Sequence, residues 1–298
     1  MRVSDVINSG SFARIVEIFP PGMPAPGSIR AGQRIDLSVR FDRIVENIGQ
    51  LEALADAFSL PELRDGARIH LNSVSVAAEL KRRTTSSIIP TITLRDSNRQ
   101  NLLGTISFAI FSGIENVQIV RGDPYNTNSG LEPKNVYDIS KIAAFVTIIR
   151  DLETHLSNVQ KTCILAPLNL TKISDPNYVR IARQREVAGV DIFVTESLFE
   201  DTSKYLDRVV LAREKGIKIP IIHNIFPFRS YEDAVSCVEK FGWKISEEEL
   251  QGLKSGGAKY GIETARKRYF ELIDRKEVSQ GACISTRGNT EIVRQIVY

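Results

Sequence analysis

Short runs rich in apolar and β-branched residues alternate with longer segments of helical periodicity along this chain. That alternation is typical of parallel strands joined by crossover helices, and it limits the fold more than any other feature. Eight strand–helix units predict a (β/α)8 TIM barrel, although an open doubly wound sheet would show the same periodicity. We predict the strands at Ala13–Phe19, Arg68–Val74, Ile88–Leu94, Asn116–Val120, Thr162–Pro167, Asp191–Glu196, Ile219–Ile225 and Ala282–Thr286.

The helices are expected between these strands. They are predicted at Asp42–Phe58, Arg99–Ser112, Val136–Leu152, Tyr178–Ala188, Ser203–Lys215, Tyr231–Phe241, Ile262–Arg275 and Glu291–Ile296, with Asn135 and Ser230 as caps and Gly113, Gly189 and Gly216 at helix ends. In the second crossover only Ala77–Ser86 is available, so we expect its helix to be short or irregular. The first strand is followed by Phe19-Pro20-Pro21-Gly22 rather than a G-x-G-x-x-G turn, which disfavours a dinucleotide-binding Rossmann unit.

Length and composition indicate one packed domain over residues 1–298. Apolar residues make up 42% and charged residues 25%, and α/β barrels commonly run to roughly 250 residues. The 39 Lys and Arg against 36 Asp and Glu give a net charge of only +3, so no nucleic-acid partner is expected. The basic clusters at 81–83 and 266–268 are interpreted as solvated helix faces.

The cysteines and the N-terminal residues indicate a cytoplasmic protein. Cys163, Cys237 and Cys283 are odd in number and lack C-x-x-C spacing, so neither disulfides nor a metal site are expected. The first residues lack a signal-peptide pattern and no apolar stretch has membrane-spanning length, so no membrane association is predicted.

Polar side chains interrupt or follow nearly every predicted strand, where a barrel gathers its functional groups. Glu17 lies inside the apolar run Ile15–Phe19, where burial would raise its pKa and make it a general acid, unless a structural arginine holds it. Asp123 follows Arg121-Gly122, and the glycine permits close approach of a ligand; a structural Arg121–Asp123 ion pair is the alternative. His70, His155 and His223 lack metal-ligand spacing, and of these His223 most warrants testing.

Several strand-end motifs occur in an order that resembles the methylenetetrahydrofolate reductase family over roughly residues 14–297. They are Val16-Glu17-Ile18-Phe19-Pro20-Pro21, Pro90-Thr91-Ile92-Thr93-Leu94-Arg95-Asp96, Val120-Arg121-Gly122-Asp123-Pro124, Val194-Thr195-Glu196, Ile225-Phe226-Pro227 and Gly281-Ala282-Cys283-Ile284-Ser285-Thr286. The resemblance implies an oxidoreductase of one-carbon metabolism and methionine biosynthesis. Its barrel would hold FAD at the mouth, take hydride from NADH or NADPH and reduce methylenetetrahydrofolate to methyltetrahydrofolate.

The resemblance also implies residue roles. Glu17 matches the general acid that protonates a folate nitrogen, and Asp123 matches the carboxylate beside flavin and pterin. The positions implied around FAD are Ser75, Thr91, Arg121, Gly122, Asp123, Tyr137 and Arg185, and those around the substrate are Glu17, Asp123, Glu196 and Tyr231.

Four of these positions depart from the usual family residue. Thr91 stands for histidine, Glu196 for glutamine, Arg185 for lysine and Tyr231 for phenylalanine. The alternatives are therefore a reductase of another methylene-pterin such as methylenetetrahydromethanopterin, an electron donor other than a nicotinamide that acts through a partner subunit, or a non-catalytic pterin-binding subunit. A homo-oligomer also remains open.

Overall fold

The computed structural model describes residues 1–24, 36–62, 68–122, 138–157, 159–197, 199, 201–286 and 289–298. The strands are β1 (Ala13–Glu17), β2 (Gly22–Pro24), β3 (Ala57–Leu60), β4 (Arg68–His70), β5 (Ile88–Thr93), β6 (Asn116–Val120), β7 (Cys163–Leu168), β8 (Ile192–Ser197), β9 (Ile221–Ile225) and β10 (Gly281–Ser285). The helices are α1 (Val3–Asn8), α2 (Leu37–Leu51), α3 (Ser73–Arg83), α4 (Arg99–Phe111), α5 (Ile142–His155), α6 (Pro176–Ala188), α7 (Thr202–Glu214), α8 (Tyr231–Phe241), α9 (Glu247–Asp274) and α10 (Glu291–Val297).

Eight parallel strands close into a barrel in the order β1-β10-β9-β8-β7-β6-β5-β3. The predicted TIM barrel is therefore confirmed, and the open-sheet alternative is wrong. Successive side chains of a strand point to opposite faces, so one set fills the barrel and the other packs against the helices. Ala13 and Ile15 lie in the inner cluster with Cys283, whereas Val16 lies in the cluster beneath the helices.

The second barrel strand is not where the sequence pattern predicts it. It is the fully buried β3, whose first two residues, Ala57 and Phe58, we assigned to the end of the preceding helix. Leu51, Leu54 and Phe58 have helical spacing, but α2 ends at Leu51 and a turn follows in which Leu54 N–H donates to the Leu51 carbonyl at 2.8 Å. The predicted strand Arg68–Val74 is wrong: β4 pairs antiparallel with β2 outside the barrel, and α3 starts at Ser73, which gives the second crossover a helix of 11 residues.

Most other boundaries agree with the predictions, and the exceptions have local causes. Ser230 caps α8 as predicted by accepting from Asp233 N–H at 3.1 Å, and Gly189 ends α6 with a φ of 108°. Helix α5 begins at Ile142, six residues after the predicted Val136, and Asn135 lies outside the described residues.

Helix α9 is longer than predicted and is kinked at Gly257, whose φ is 54°. The two halves are joined by a buried ion pair in which Arg268 donates to both Glu249 carboxylate oxygens at 3.0 and 2.8 Å. Arg268 is therefore not part of a solvated face, contrary to our interpretation of the basic cluster at 266–268. No helix in the described part of the chain has both the length and the apolar character needed to cross a bilayer.

Candidate functional site

Glu17 ends β1 and lies on the strand face that points into the barrel. It follows Ile15 at a spacing of two residues, and Ile15 is in the inner cluster. Ser285 is aligned with Glu17 on the neighbouring β10, and its hydroxyl donates a hydrogen bond to Glu17 Oε1. Thr286 fixes the backbone at the same point, because its hydroxyl donates to the Glu17 carbonyl at 2.9 Å. A half-buried carboxyl is thus held at the carboxyl-terminal mouth of the barrel.

The Glu17 carboxyl lies above a buried thiol. Burial raises the pKa of Cys283 well above its usual value, and the nearby Glu17 charge raises it further. Cys283 is therefore a neutral part of the barrel floor. Sequence reasoning missed the Glu17–Ser285 contact. In a closed barrel the first and last strands pair, and both residues lie near the ends of those strands. This could have indicated the contact.

Arg121 and Gly122 lie on the other side of the mouth, directly after β6. Gly122 has a φ of 92°, and a Cβ there would lie 2.5 Å from Thr93 Cγ2 and 3.0 Å from Arg95 Cβ. The glycine is thus required by the packing of two adjacent strand ends, whereas we had expected it to allow approach of a ligand. Arg121 is exposed, and its carbonyl accepts from Arg95 N–H at 3.1 Å.

Thr91 and Ser75 lie on this same side. Thr91 is buried in β5, next to β6, and its carbonyl accepts from the Ser73 hydroxyl at 2.5 Å. This bond fixes the start of α3, where Ser75 is exposed and donates its N–H to Asn72 Oδ1 at 3.1 Å. Three elements therefore bring Ser75, Thr91 and Gly122 to one side of the barrel.

Arg185 is anchored on β7, the strand that pairs with β6. Arg185 lies in α6, and its Nη1 donates to the Pro167 carbonyl of β7 at 2.7 Å. Burial lowers the pKa of Arg185, while the Tyr178 hydroxyl next to it opposes that shift. The guanidinium is thus held in the layer between helix and strand.

Glu196 lies near the end of β8, where the strand has an irregular register. Val194 pairs with Ile222 but Ser197 pairs with Asn224, so one extra residue is accommodated between them. Bulges of this kind redirect a side chain. The two Glu196 carboxylate oxygens accept from the backbone N–H groups of Leu170 and Thr171, each at 3.1 Å, in the loop after β7.

The environment of Glu196 changes its acidity. Burial raises the pKa of Glu196, and the backbone N–H donors of Thr171 and Leu170 oppose the shift without cancelling it. Each carboxylate oxygen keeps a lone pair beyond the backbone bond it accepts. Glu196 can therefore accept further hydrogen bonds, and it takes up a proton at a higher pH than an ordinary glutamate.

Tyr231 begins α8 and packs, half-buried, against an aromatic cluster that sequence reasoning missed. Phe199 stacks against Trp243 with ring centroids 4.7 Å apart, and Phe226 and Phe228 complete the group. The two phenylalanines around Pro227 at the end of β9 were the available signal. The cluster gives the mouth an apolar wall beside Tyr231.

Asp123, Tyr137 and His223 are the remaining residues that the sequence singled out. Asp123 and Tyr137 lie outside the described residues, so their roles stay predictions. His223 is completely buried against Tyr205 of α7, and burial lowers its pKa to about 3. A neutral imidazole behind the barrel wall fits a structural role.

Comparisons with known proteins agree with this fold and supply a family. No match was found among curated proteins. Among solved structures, 2,3-dimethylmalate lyase, a member of the PEP mutase/isocitrate lyase superfamily, aligns with a TM-score of 0.51 at 10% identity, over 92% of this chain and 87% of that one. At that identity the likeness concerns the fold alone. The family model of methylenetetrahydrofolate reductase matches residues 39–273, and the chain therefore belongs to the methylenetetrahydrofolate reductase family of oxidoreductases.

Proposed function

We propose that this protein reduces 5,10-methylenetetrahydrofolate to 5-methyltetrahydrofolate with NAD(P)H and FAD. The observation that carries the proposal is the Glu17 carboxyl, held by Ser285 at the mouth of a barrel of this family. The reaction needs an acid beside the pterin, because a nitrogen of the five-membered ring must be protonated before that ring opens. Glu17 is the group we assign to this step.

The residues on the opposite side of the mouth support the cofactor assignment in part. A flavin dinucleotide is anionic, and Arg121 presents an exposed cation there, while Ser75 presents an exposed hydroxyl at the N-terminal turn of α3. FAD, when bound, supplies the hydride that it receives from NAD(P)H. Arg185 donates one N–H group to the Pro167 carbonyl, so only its remaining N–H groups are left for a contact with the cofactor phosphates.

Glu196 and Tyr231 are assigned to the pterin side of the substrate. A carboxylate accepts two hydrogen bonds from the amide-like edge of a pterin, and the Tyr231 ring adds an aromatic face to the cluster around Trp243. The carboxylate in place of the usual glutamine is also the observation that favours a second candidate, reduction of a methanopterin carrier.

The purified full-length protein tests the function directly. We expect flavin absorbance, and oxidation of NADH or NADPH that depends on methylenetetrahydrofolate. A parallel assay with methylenetetrahydromethanopterin separates the two carriers. A protein that binds pterin but neither holds flavin nor turns over either carrier would overturn the proposal in favour of a binding subunit.

We expect the affinity for the pterin to fall on acidification, starting at a higher pH than an ordinary glutamate would give. Burial raises the Glu196 pKa, and protonation removes acceptors that the pterin edge needs. Glu196→Gln should remove this pH dependence and retain binding at neutral pH. Glu196→Ala should weaken binding by about ten- to a hundredfold, the equivalent of roughly 1.5–3 kcal/mol.

Titration of substrate binding by fluorescence from pH 5 to 8 measures both effects. If neither substitution changes the affinity for either pterin at any pH, Glu196 is not in the substrate site. Flavin content serves as the control, since neither variant should alter it.

A further inference from the structure

An open groove of about 780 Å³ runs along the outer wall of the barrel between α5 and α6. It is separate from the mouth residues described above. On α6 its lining extends from Pro176 to Ala188. These thirteen helical residues rise about 18 Å, so the groove is as long as about three turns of a helix.

The apolar lining of the groove is made of small side chains. Ala143 and Ala144 line it from α5, and Val179, Val187 and Ala188 line it from α6. Val187 is 87% exposed, which is unusual for a valine on the outer face of a barrel helix. Small residues on both sides allow the backbone of a third helix to approach closely.

The rim of the groove has one sign of charge. Lys141, Arg180, Arg183 and Lys215 line it, and no aspartate or glutamate does. None of these four cations forms an ion pair with another described residue, whereas the basic side chains of α3 pair with Glu115, Glu79 and Asp42. Four unpaired cations around an apolar lining are complementary to an acidic amphipathic helix.

We propose that this groove binds an acidic amphipathic helix of a partner protein, with its apolar face on Val187 and its carboxylates on the rim. Two physical arguments favour this occupant. A symmetric dimer through the groove would place four cations against the same four on the second copy. A membrane contact needs several protruding apolar residues, whereas only one of the two valines in the lining, Val187, is exposed and Val179 is buried.

A synthetic peptide tests the proposal with the full-length protein. It is a helix of about 12 residues with a leucine stripe at i, i+3, i+4 and i+7 and glutamates on either side, labelled for fluorescence anisotropy. A second peptide carries lysine in place of each glutamate. We expect the acidic peptide to bind, with an affinity that falls as salt is raised, and the basic peptide to show no binding.

Two matched double variants each reverse two charges, one pair inside the groove and one pair outside it. Arg180→Glu with Arg183→Glu should weaken binding of the acidic peptide more than tenfold, and Val187→Asp should do the same by placing a charge in the apolar lining. Lys259→Glu with Lys276→Glu, exposed on and after α9, should leave binding unchanged. All five substitutions are at exposed positions, and circular dichroism verifies that each variant is folded.

Several results would overturn the proposal. They are absence of acidic-peptide binding, equal binding of the basic peptide, and equal losses in the groove and control variants. Sedimentation of the wild type, but not the groove variants, with phosphatidylserine vesicles would assign the surface to membranes if the peptide did not bind. A dimer that the groove substitutions dissociate would assign it to a second copy.

Discussion

Glu17→Gln should lower turnover of the methylene-pterin by about 10²–10⁴-fold, the range that general acid–base catalysis typically supplies. The amide keeps the size of the side chain and can still hydrogen-bond to the Ser285 hydroxyl, but it cannot donate an acidic proton. The measurement is single-turnover oxidation of the reduced enzyme by methylenetetrahydrofolate. Flavin content and the rate of flavin reduction by NAD(P)H should stay close to those of the wild type.

Ser285→Ala is the matched control for this prediction. It removes the hydroxyl that positions the carboxyl, while the acid itself remains, so turnover should fall much less than in Glu17→Gln. If Glu17→Gln turns over the pterin at the wild-type rate, Glu17 is a structural carboxylate. If flavin reduction falls as much as pterin reduction, the substitution acts on the whole mouth rather than on proton transfer.

The fold was predictable from the sequence wherever a strand was a short apolar run between clear helix boundaries. Seven barrel strands meet this condition. The bounds of β6, Asn116–Val120, equal the predicted ones, and β5, Ile88–Thr93, ends one residue before its predicted end. The eighth, β3, was not predictable, because Leu54 and Phe58 continue the helical spacing of α2. Local spacing favours the helix there, and burial of all four β3 residues between β1 and β5 decides for the strand.

The sequence predicted which residues lie at the strand ends of the site, but not where all of their side chains point. Glu17 lies at the mouth because it is the last residue of β1, and it is on the inner face because it follows the inward-facing Ile15 by two residues. The direction of Glu196 depends on a register shift between β8 and β9, which no property of β8 alone reveals. Arg185 likewise matches a family position by sequence, but its hydrogen bond to the Pro167 carbonyl and its contact with Tyr178 are not visible in the sequence.

Arg268→Met should produce the largest loss of stability among substitutions in the described helices that we consider. Arg268 and Glu249 expose only 9% and 5% of their side chains, and they join α9 across the kink at Gly257. Removing the cation leaves a buried carboxylate without its counter-charge. Breaking such a pair costs about 3–5 kcal/mol, which should be measurable as a lower free energy of unfolding in urea.

The double variant Glu249→Leu with Arg268→Met separates the cost of the orphaned charge from the value of the ion pair. Replacing both charges with apolar side chains removes the desolvation penalty as well as the attraction, so stability should return close to that of the wild type. Lys267→Met is the exposed control: its amine lies 3.8 Å from Glu271 at 75% exposure, and the change should stay within about 0.5 kcal/mol. If the double variant is as unstable as Arg268→Met alone, the geometry of the bidentate pair itself holds the two halves of α9 together.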